Sequence, residues 1–195
     1  MCRSDRYWIV VVLTVVFLYF SVASPGSLNV DRSAYVHKYV QLKIQYKWLT
    51  PSLFETVWWK GKMFDVKPGI ICAFVDAESW GNPKAVSRSD ARGLMQVMPY
   101  MYKRIVSRRG DTPRIRDLFK PNVNVFAGTL ILRDCLNAAN GNVILAAKLY
   151  NAGNIAYFNG PYIIAILESL AITYPDQTMR ETLIPDAKIR SWARY

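Results

Sequence analysis

The chain has a single histidine, His37, among 195 residues. A Ser-His-Asp or Cys-His hydrolase needs an imidazole as its base. Either arrangement would rest on His37 alone, and no nucleophile motif accompanies it, so His37 reads as a surface residue of an N-terminal helix. Cysteine is nearly as scarce, with three residues, and none is grouped with histidine at metal-ligand spacing. No cofactor and no metal is expected. Cys72 and Cys135 lie in apolar helical stretches, where a free thiol behaves as a small hydrophobe. Two free core thiols are therefore expected, although an exported chain could pair them. Strand signals are few, and repeats and low-complexity segments are absent. That leaves a mainly α chain with little or no β structure, long enough for one ordinary core. Acidic residues are in short supply too: 14 Asp and Glu face 25 Lys and Arg, a net charge of +11.

Apolar residues make up 52% of the chain, and the N-terminus holds a dense block of them. Arg3 and Arg6 precede a nearly unbroken apolar run from Tyr7 to Phe20, followed by Ser21-Val22-Ala23. A basic start, an apolar middle and a small-residue end read as a secretory signal peptide cleaved after Ala23. The alternative is an uncleaved anchor, for which the run is slightly short of the ~20 residues a span needs. Cys2 stands before the run and does not read as a lipoprotein acceptor. Either reading puts the remainder outside the inner membrane, in the periplasm or cell envelope. Removing residues 1–23 takes away two basic residues and one acidic residue and leaves +10. Such a surface favours an anionic partner. An exported protein rarely meets nucleic acid, so peptidoglycan, with its lactyl and peptide carboxylates, is the natural polyanion. The densest basic run is Lys103, Arg104, Arg108, Arg109, Arg114 and Arg116; it is either a solvated face or an anion site.

The informative stretch is 70–99, IICAFVDAESWGNPKAVSRSDARGLMQVMP. Pro68 suits a first helical turn. The residues after it are apolar almost all round, as in a buried helix. Helical spacing places Glu78 on the face of Ile71, Phe74 and Val75, with Asp76 on another side. Gly81, Asn82 and Pro83 then end the helix. One carboxylate thus projects from the apolar side of a buried helix end. Desolvation raises the pKa of such a group, which is what a general acid requires. The same placement also suits a glutamate paired with one of the many arginines.

The residues that follow discriminate between these readings. Glu78-Ser79, Asn82-Pro83, Ala85-Val86-Ser87, Ala91-Arg92-Gly93-Leu94-Met95-Gln96 and Met98-Pro99 form one ordered block. Asn124, Gly128, Ala146-Ala147 and Tyr150-Asn151-Ala152-Gly153 form a second. Together they resemble the soluble-lytic-type lytic transglycosylases, over roughly residues 67–170. The resemblance implies a lysozyme-like helical fold. It also implies non-hydrolytic cleavage of the MurNAc-β-1,4-GlcNAc bond of peptidoglycan, leaving 1,6-anhydroMurNAc ends. Glu78 would act as acid and then as base. Ser87 and Ser89 match serines near the cleaved bond, Gln96 a cleft glutamine, and Met98 a methionine on the sugar. Tyr150 matches a tyrosine whose hydroxyl lies near the glutamate, and Tyr162 one beside the cleft. Asn151 matches the same motif and also suits a helix end.

Two departures from the family pattern matter. Asp90 stands where the family has glycine. It tolerates positive φ better than most residues, and as a second carboxylate it admits a goose-type-lysozyme-like hydrolase in which it positions water. Lys120 stands where the family has Asp before Pro121, which affects only helix capping. A catalytically inert wall-binding or secretion-apparatus component is the third alternative. The expected organisation is a leader or anchor at 1–23, leading helices in 24–66, the lysozyme-like domain at 67–172 and a basic tail at 173–195. The small size suits local gap-making for an envelope-spanning complex, and suits general wall turnover nearly as well.

The expected helices run from Asp31 to Leu49 (ended by Thr50-Pro51), Leu53 to Lys60, Pro68 to Gly81, Pro99 to Arg109, Thr112 to Phe119, Pro121 to Ala139, Val143 to Tyr150 and Pro161 to Ala171. Gly128 is expected to admit a second backbone closely. Trp58 and Trp59 read as a core cap at a domain edge, or as sugar-stacking rings.

Overall fold

Proline opens four of the helices. Pro51, Pro68, Pro99 and Pro121 each stand at a helix start, beginning α2 (Pro51–Phe64), α3 (Pro68–Ser79), α4 (Pro99–Ser107) and α5 (Pro121–Ala138). The missing N–H costs nothing there, because the first turn has no partner for it. The computed structural model describes residues 32–153 and 160–173. The expected leader or anchor, the linker at 24–29 and the tail from 174 lie outside the described residues. Before α2 comes α1 (Arg32–Gln45), and after α5 come α6 (Val143–Ala152) and α7 (Gly160–Thr173). The mainly α expectation holds. Among the described residues, extended pairing is confined to two isolated bridges that Arg92 makes with Val86 and Val97.

Several boundaries differ from expectation for local reasons. Thr50 does not end α1. It caps α2, its hydroxyl accepting a hydrogen bond from the Leu53 amide at 3.3 Å. Thr112-Pro113 starts no helix; a 3-10 turn begins later, at Ile115–Phe119, after an extended Arg114 without a side-chain cap. Lys120 likewise leaves α5 without one and instead pairs with Asp117 at 2.8 Å. Asn142 does cap α6, accepting from the Leu145 amide at 3.1 Å, and Gly153 ends that helix at φ 66°.

The contacts divide the chain into two compact units, residues 1–41 and 42–195. In the first, the described part is the beginning of α1, where His37 is exposed as expected. In the second, α5 lies against α2, α6 and the 3-10 turn, while α3 packs on α7 and α2. Phe54, Phe74, Leu94, Met95, Leu132 and Ile166 are fully enclosed between these helices. Trp58 packs inside against Phe54, with centroids 5.8 Å apart, while its neighbour Trp59 stays partly exposed. The core reading thus holds for one of the two rings. Cys72 is buried and Cys135 half-buried, and no disulfide joins the two.

Two features fasten the non-helical segment 80–98 to this frame. Asn124 is fully buried on α5. Its amide accepts from Met95 N at 2.7 Å and donates to Arg92 O at 2.7 Å and Leu118 O at 2.8 Å. Gly128, one turn further on, faces the Met95 side chain. A Cβ there would sit 2.6 Å from Met95 Cβ and Sδ. The close approach expected at Gly128 is real, but a side chain and not a backbone makes it.

Candidate active site

Glu78 leaves α3 in its last turn, as the apolar spacing predicted. The helix ends because Trp80 turns left-handed at φ 54°, its N–H closing on Asp76 O at 3.0 Å, and Gly81 follows at φ 73°. The left-handed conformation disfavours most residues with a Cβ. Packing holds this turn. Trp48 lies across Gly81, leaving no room for a Cβ, and its indole N–H donates to Asp76 Oδ1 at 2.7 Å. Ser79, beside Glu78, is buried. Its hydroxyl lies 2.7 Å from Leu94 O and 3.2 Å from Val75 O, so it joins the helix end to the 80–98 segment.

The Glu78 carboxyl is met from α7. The Tyr162 hydroxyl donates to its Oε1 at 2.8 Å. No Lys or Arg among the described residues forms an ion pair with it, so the arginine-paired reading does not hold there. Burial pushes the Glu78 carboxyl up from 4.5 to about 7, against the smaller lowering effect of the Tyr162 hydrogen bond. The cause is the cost of a charge in a poorly solvated setting. Tyr162 is itself held well above the usual phenol range, chiefly by burial and then by the Glu78 charge. It therefore stays a neutral donor. Phe74, one turn before Glu78, packs edge-on to Tyr150 at 5.2 Å and to Tyr162 at 6.5 Å. One ring thus sets the spacing of the two phenols.

Sequence reasoning placed Tyr150 beside the glutamate and gave Tyr162 a lesser position beside the cleft. In the fold, the phenol bonded to Glu78 is that of Tyr162. Tyr150 is close enough for the Glu78 charge to help raise its pKa, after burial. Its hydroxyl, however, donates to Met95 O at 2.8 Å, so it anchors the 80–98 segment. Gln96 adopts φ 45°. Its amide donates to Gly93 O at 2.9 Å and Ala85 O at 3.3 Å, which compensates the strained backbone. The Ser87 hydroxyl accepts from Ala91 N at 3.0 Å and shapes the same segment. Ser89 is exposed, Met98 half-buried at the start of α4, and Asn151 exposed in the last turn of α6.

Asp90 does sit at positive φ, 66°. Its two oxygens are taken by Arg92, at 2.9 Å from Nε and 3.2 Å from Nη2, and the Asp90 side chain is 54% exposed. That carboxylate is engaged by a guanidinium and well solvated, unlike Glu78. One aromatic escaped the sequence reading. Trp80, two residues after Glu78, is 79% exposed. The signal was its place in the helix-ending turn, where a side chain cannot join the helix's buried face. No group of His, Cys, Asp or Glu among the described residues could hold a metal.

A family model described as the transglycosylase SLT domain matches residues 57–159. The membrane-bound lytic murein transglycosylase E of Buchnera aphidicola is 30% identical over 154 residues, covering 77% of this chain and 70% of that protein. The endo-type membrane-bound lytic murein transglycosylase A of Klebsiella pneumoniae is 33% identical over 103 residues, covering 51% of each. Among solved structures, the lytic transglycosylase Slt of Pseudomonas aeruginosa, in an inactive mutant form, superposes with a TM-score of 0.58. It is 21% identical, over 75% of this chain and 27% of that one. The 70 kDa soluble lytic transglycosylase crystallised with bulgecin A superposes at 0.51 with 20% identity, over 84% of this chain and 30% of that one. At these identities the superpositions speak for the fold alone. The chain spans 70% of the Buchnera protein, half of the Klebsiella protein and under a third of the two solved chains. Since the family model takes in Glu78, Tyr150 and the whole segment between them, the chain belongs to the transglycosylase SLT domain family.

Proposed function

We propose that the chain is a peptidoglycan lytic transglycosylase acting in the cell envelope, with Glu78 as its single acid and base. The observation that carries this is the state of Glu78: a poorly solvated carboxyl with a pKa of about 7, no cationic partner among the described residues, and a neutral phenol donating to one oxygen. Oε1 accepts from Tyr162, so in the neutral acid the proton sits on Oε2. From there it passes to the glycosidic oxygen as the bond to muramoyl C1 breaks. The resulting carboxylate then takes the proton of the muramoyl C6 hydroxyl, whose oxygen bonds to C1. The proton is returned, the 1,6-anhydro ring closes and no water is consumed. One group can do both only if its pKa lies near the working pH. Ordinary glycosidases divide these tasks between two carboxylates.

The supporting residues act at one remove in this reading. Tyr162 holds and orients Glu78. Tyr150, Gln96 and Ser87 hold the 80–98 segment that carries Ser89 and Met98. Trp80 offers its ring to a sugar, and Asn151 ends α6. The test is mass spectrometry of purified peptidoglycan digested by the chain and by its Glu78→Gln variant. Anhydromuramoyl ends from the first and none from the second are expected. Reducing muramic ends would instead establish hydrolysis and direct attention to Asp90. Absence of products from a folded chain would favour an inert wall-binding component.

A further inference from the structure

The turn between α1 and α2 is fastened to both helices that carry the Glu78 site. α1 stops at Gln45, and the Leu49 amide closes the turn on Tyr46 O at 3.0 Å. Tyr46 is buried there and Trp48 half-buried, their rings tilted against each other with centroids 5.3 Å apart. Trp48 reaches α3. Its indole N–H donates to Asp76 Oδ1 at 2.7 Å, and its ring fills the space a Cβ on Gly81 would need. These two contacts bracket Glu78 in the chain. Tyr46 and Gln45 reach α7. The Tyr46 hydroxyl lies 2.5 Å from the Ser169 hydroxyl, and Gln45 Nε2 donates to Ser169 O at 2.5 Å. Ser169 is buried. It stands two helical turns after Tyr162, so both residues lie on one face of α7.

The hydrogen bond from Tyr162 to Glu78 spans α7 and α3, so its length depends on how those helices are held. Their direct packing is one constraint. The 45–48 turn is a second, because it binds each of them. A shift of about 1 Å takes an O–H···O pair out of hydrogen-bonding range. Gln45, Tyr46, Trp48 and Ser169 all lie outside residues 57–159, the stretch that the family model matches.

We propose that the 45–48 turn is a positioning clamp: Trp48 fixes the end of α3, Gln45 and Tyr46 fix α7 at Ser169, and together they set the distance at which Tyr162 meets Glu78. The consequence for catalysis rests on the transglycosylase reading above, while the consequence for the carboxyl does not. The titratable groups that bear on Glu78 from neighbouring helices are the phenols of Tyr162 on α7 and Tyr150 on α6. Tyr150 is tied to Met95 O, so Tyr162 is the phenol that a loosened clamp displaces.

The test is a double-mutant cycle read by 13C NMR titration of the Glu78 carboxyl carbon. Tyr162→Phe is introduced into the unaltered chain, into Trp48→Phe and into Ser169→Ala. Trp48→Phe keeps a ring near Gly81 and loses the indole N–H. Ser169→Ala removes the hydroxyl that Tyr46 meets and suits a helix interior, so it reports even where Trp48→Phe does not fold. In the unaltered chain Tyr162→Phe is expected to shift the carboxyl by about one pH unit. In each folded clamp variant that shift should shrink to less than half, because the bond it removes is already weakened. A clamp that serves stability alone leaves the shift at full size, and that result overturns the proposal. On peptidoglycan the clamp variants should lose about tenfold in kcat with KM unmoved; an unchanged kcat also overturns it. If the unaltered chain cleaves no peptidoglycan, the transglycosylase reading fails and the titration still decides about the clamp.

Discussion

Tyr162→Phe removes one hydroxyl and leaves the ring that packs on Phe74. In the unaltered chain that hydroxyl donates to Glu78 Oε1 at 2.8 Å and works against the burial that holds the carboxyl at about 7. A hydrogen bond to a charged group contributes about 1.5–3 kcal/mol, and about 1.4 kcal/mol corresponds to one pH unit. Complete loss would raise the carboxyl by one to two pH units. The hydroxyl also bonds to the neutral acid, which cancels part of this, so the expected rise is about one unit, from about 7 to about 8. The direct assay is 13C NMR titration of the Glu78 carboxyl carbon in both proteins. The proposed acid step needs the protonated form, so the alkaline limb of kcat/KM should move up by the same amount. A carboxyl that stays at 7 or falls would refute the reasoning. A fall towards 4.5 would mean that water replaces the phenol, and that burial of Glu78 depends on Tyr162.

The same carboxyl makes stability depend on pH. Its folded pKa of about 7 lies above the ordinary 4.5, so its contribution is intact below pH 4.5 and is lost as pH rises through 7, by about 3 kcal/mol at most. Glu78→Gln removes this loss. Its melting temperature should exceed that of the unaltered chain at pH 8, with the advantage shrinking as pH falls towards 4.5, as calorimetry across that range would show. Asn124→Ala strips partners from Met95 N and Leu118 O, while Arg92 O keeps the Val97 amide at 3.0 Å in the paired bridge. Two orphaned buried groups cost about 2–6 kcal/mol, measurable by urea denaturation. Gly128→Ala drives a methyl against Met95; overpacking of about 1–3 kcal/mol exceeds the helix-propensity gain of up to about 1, so a lower urea midpoint is expected.

Much of the site could be read from order and spacing along the chain. The apolar positions of α3 identified Glu78 and the face from which it projects, because a helix makes neighbours of residues three and four apart. The Asn142 cap and the glycine after α6 were legible for the same local reason. Turn chemistry was less so: a Thr-Pro pair can close one helix or open the next, and at Thr50 it opens one.

What the sequence by itself determined is the helical class, the place of Glu78 at the end of an apolar helix and the end of that helix at Gly81, since each follows from contacts within a few residues. Only the tertiary structure decided which phenol meets the carboxyl. Tyr150 and Tyr162 stand 72 and 84 residues after Glu78, and no local rule ranks them. Packing of α7 on α3 brings Tyr162 to Oε1, while α6 turns the hydroxyl of Tyr150 to Met95 O. The gathering of Arg104, Arg108 and Arg109 beside Ile131 and Leu149 likewise depends on the fold, since those two residues lie some 20 to 45 positions further along the chain.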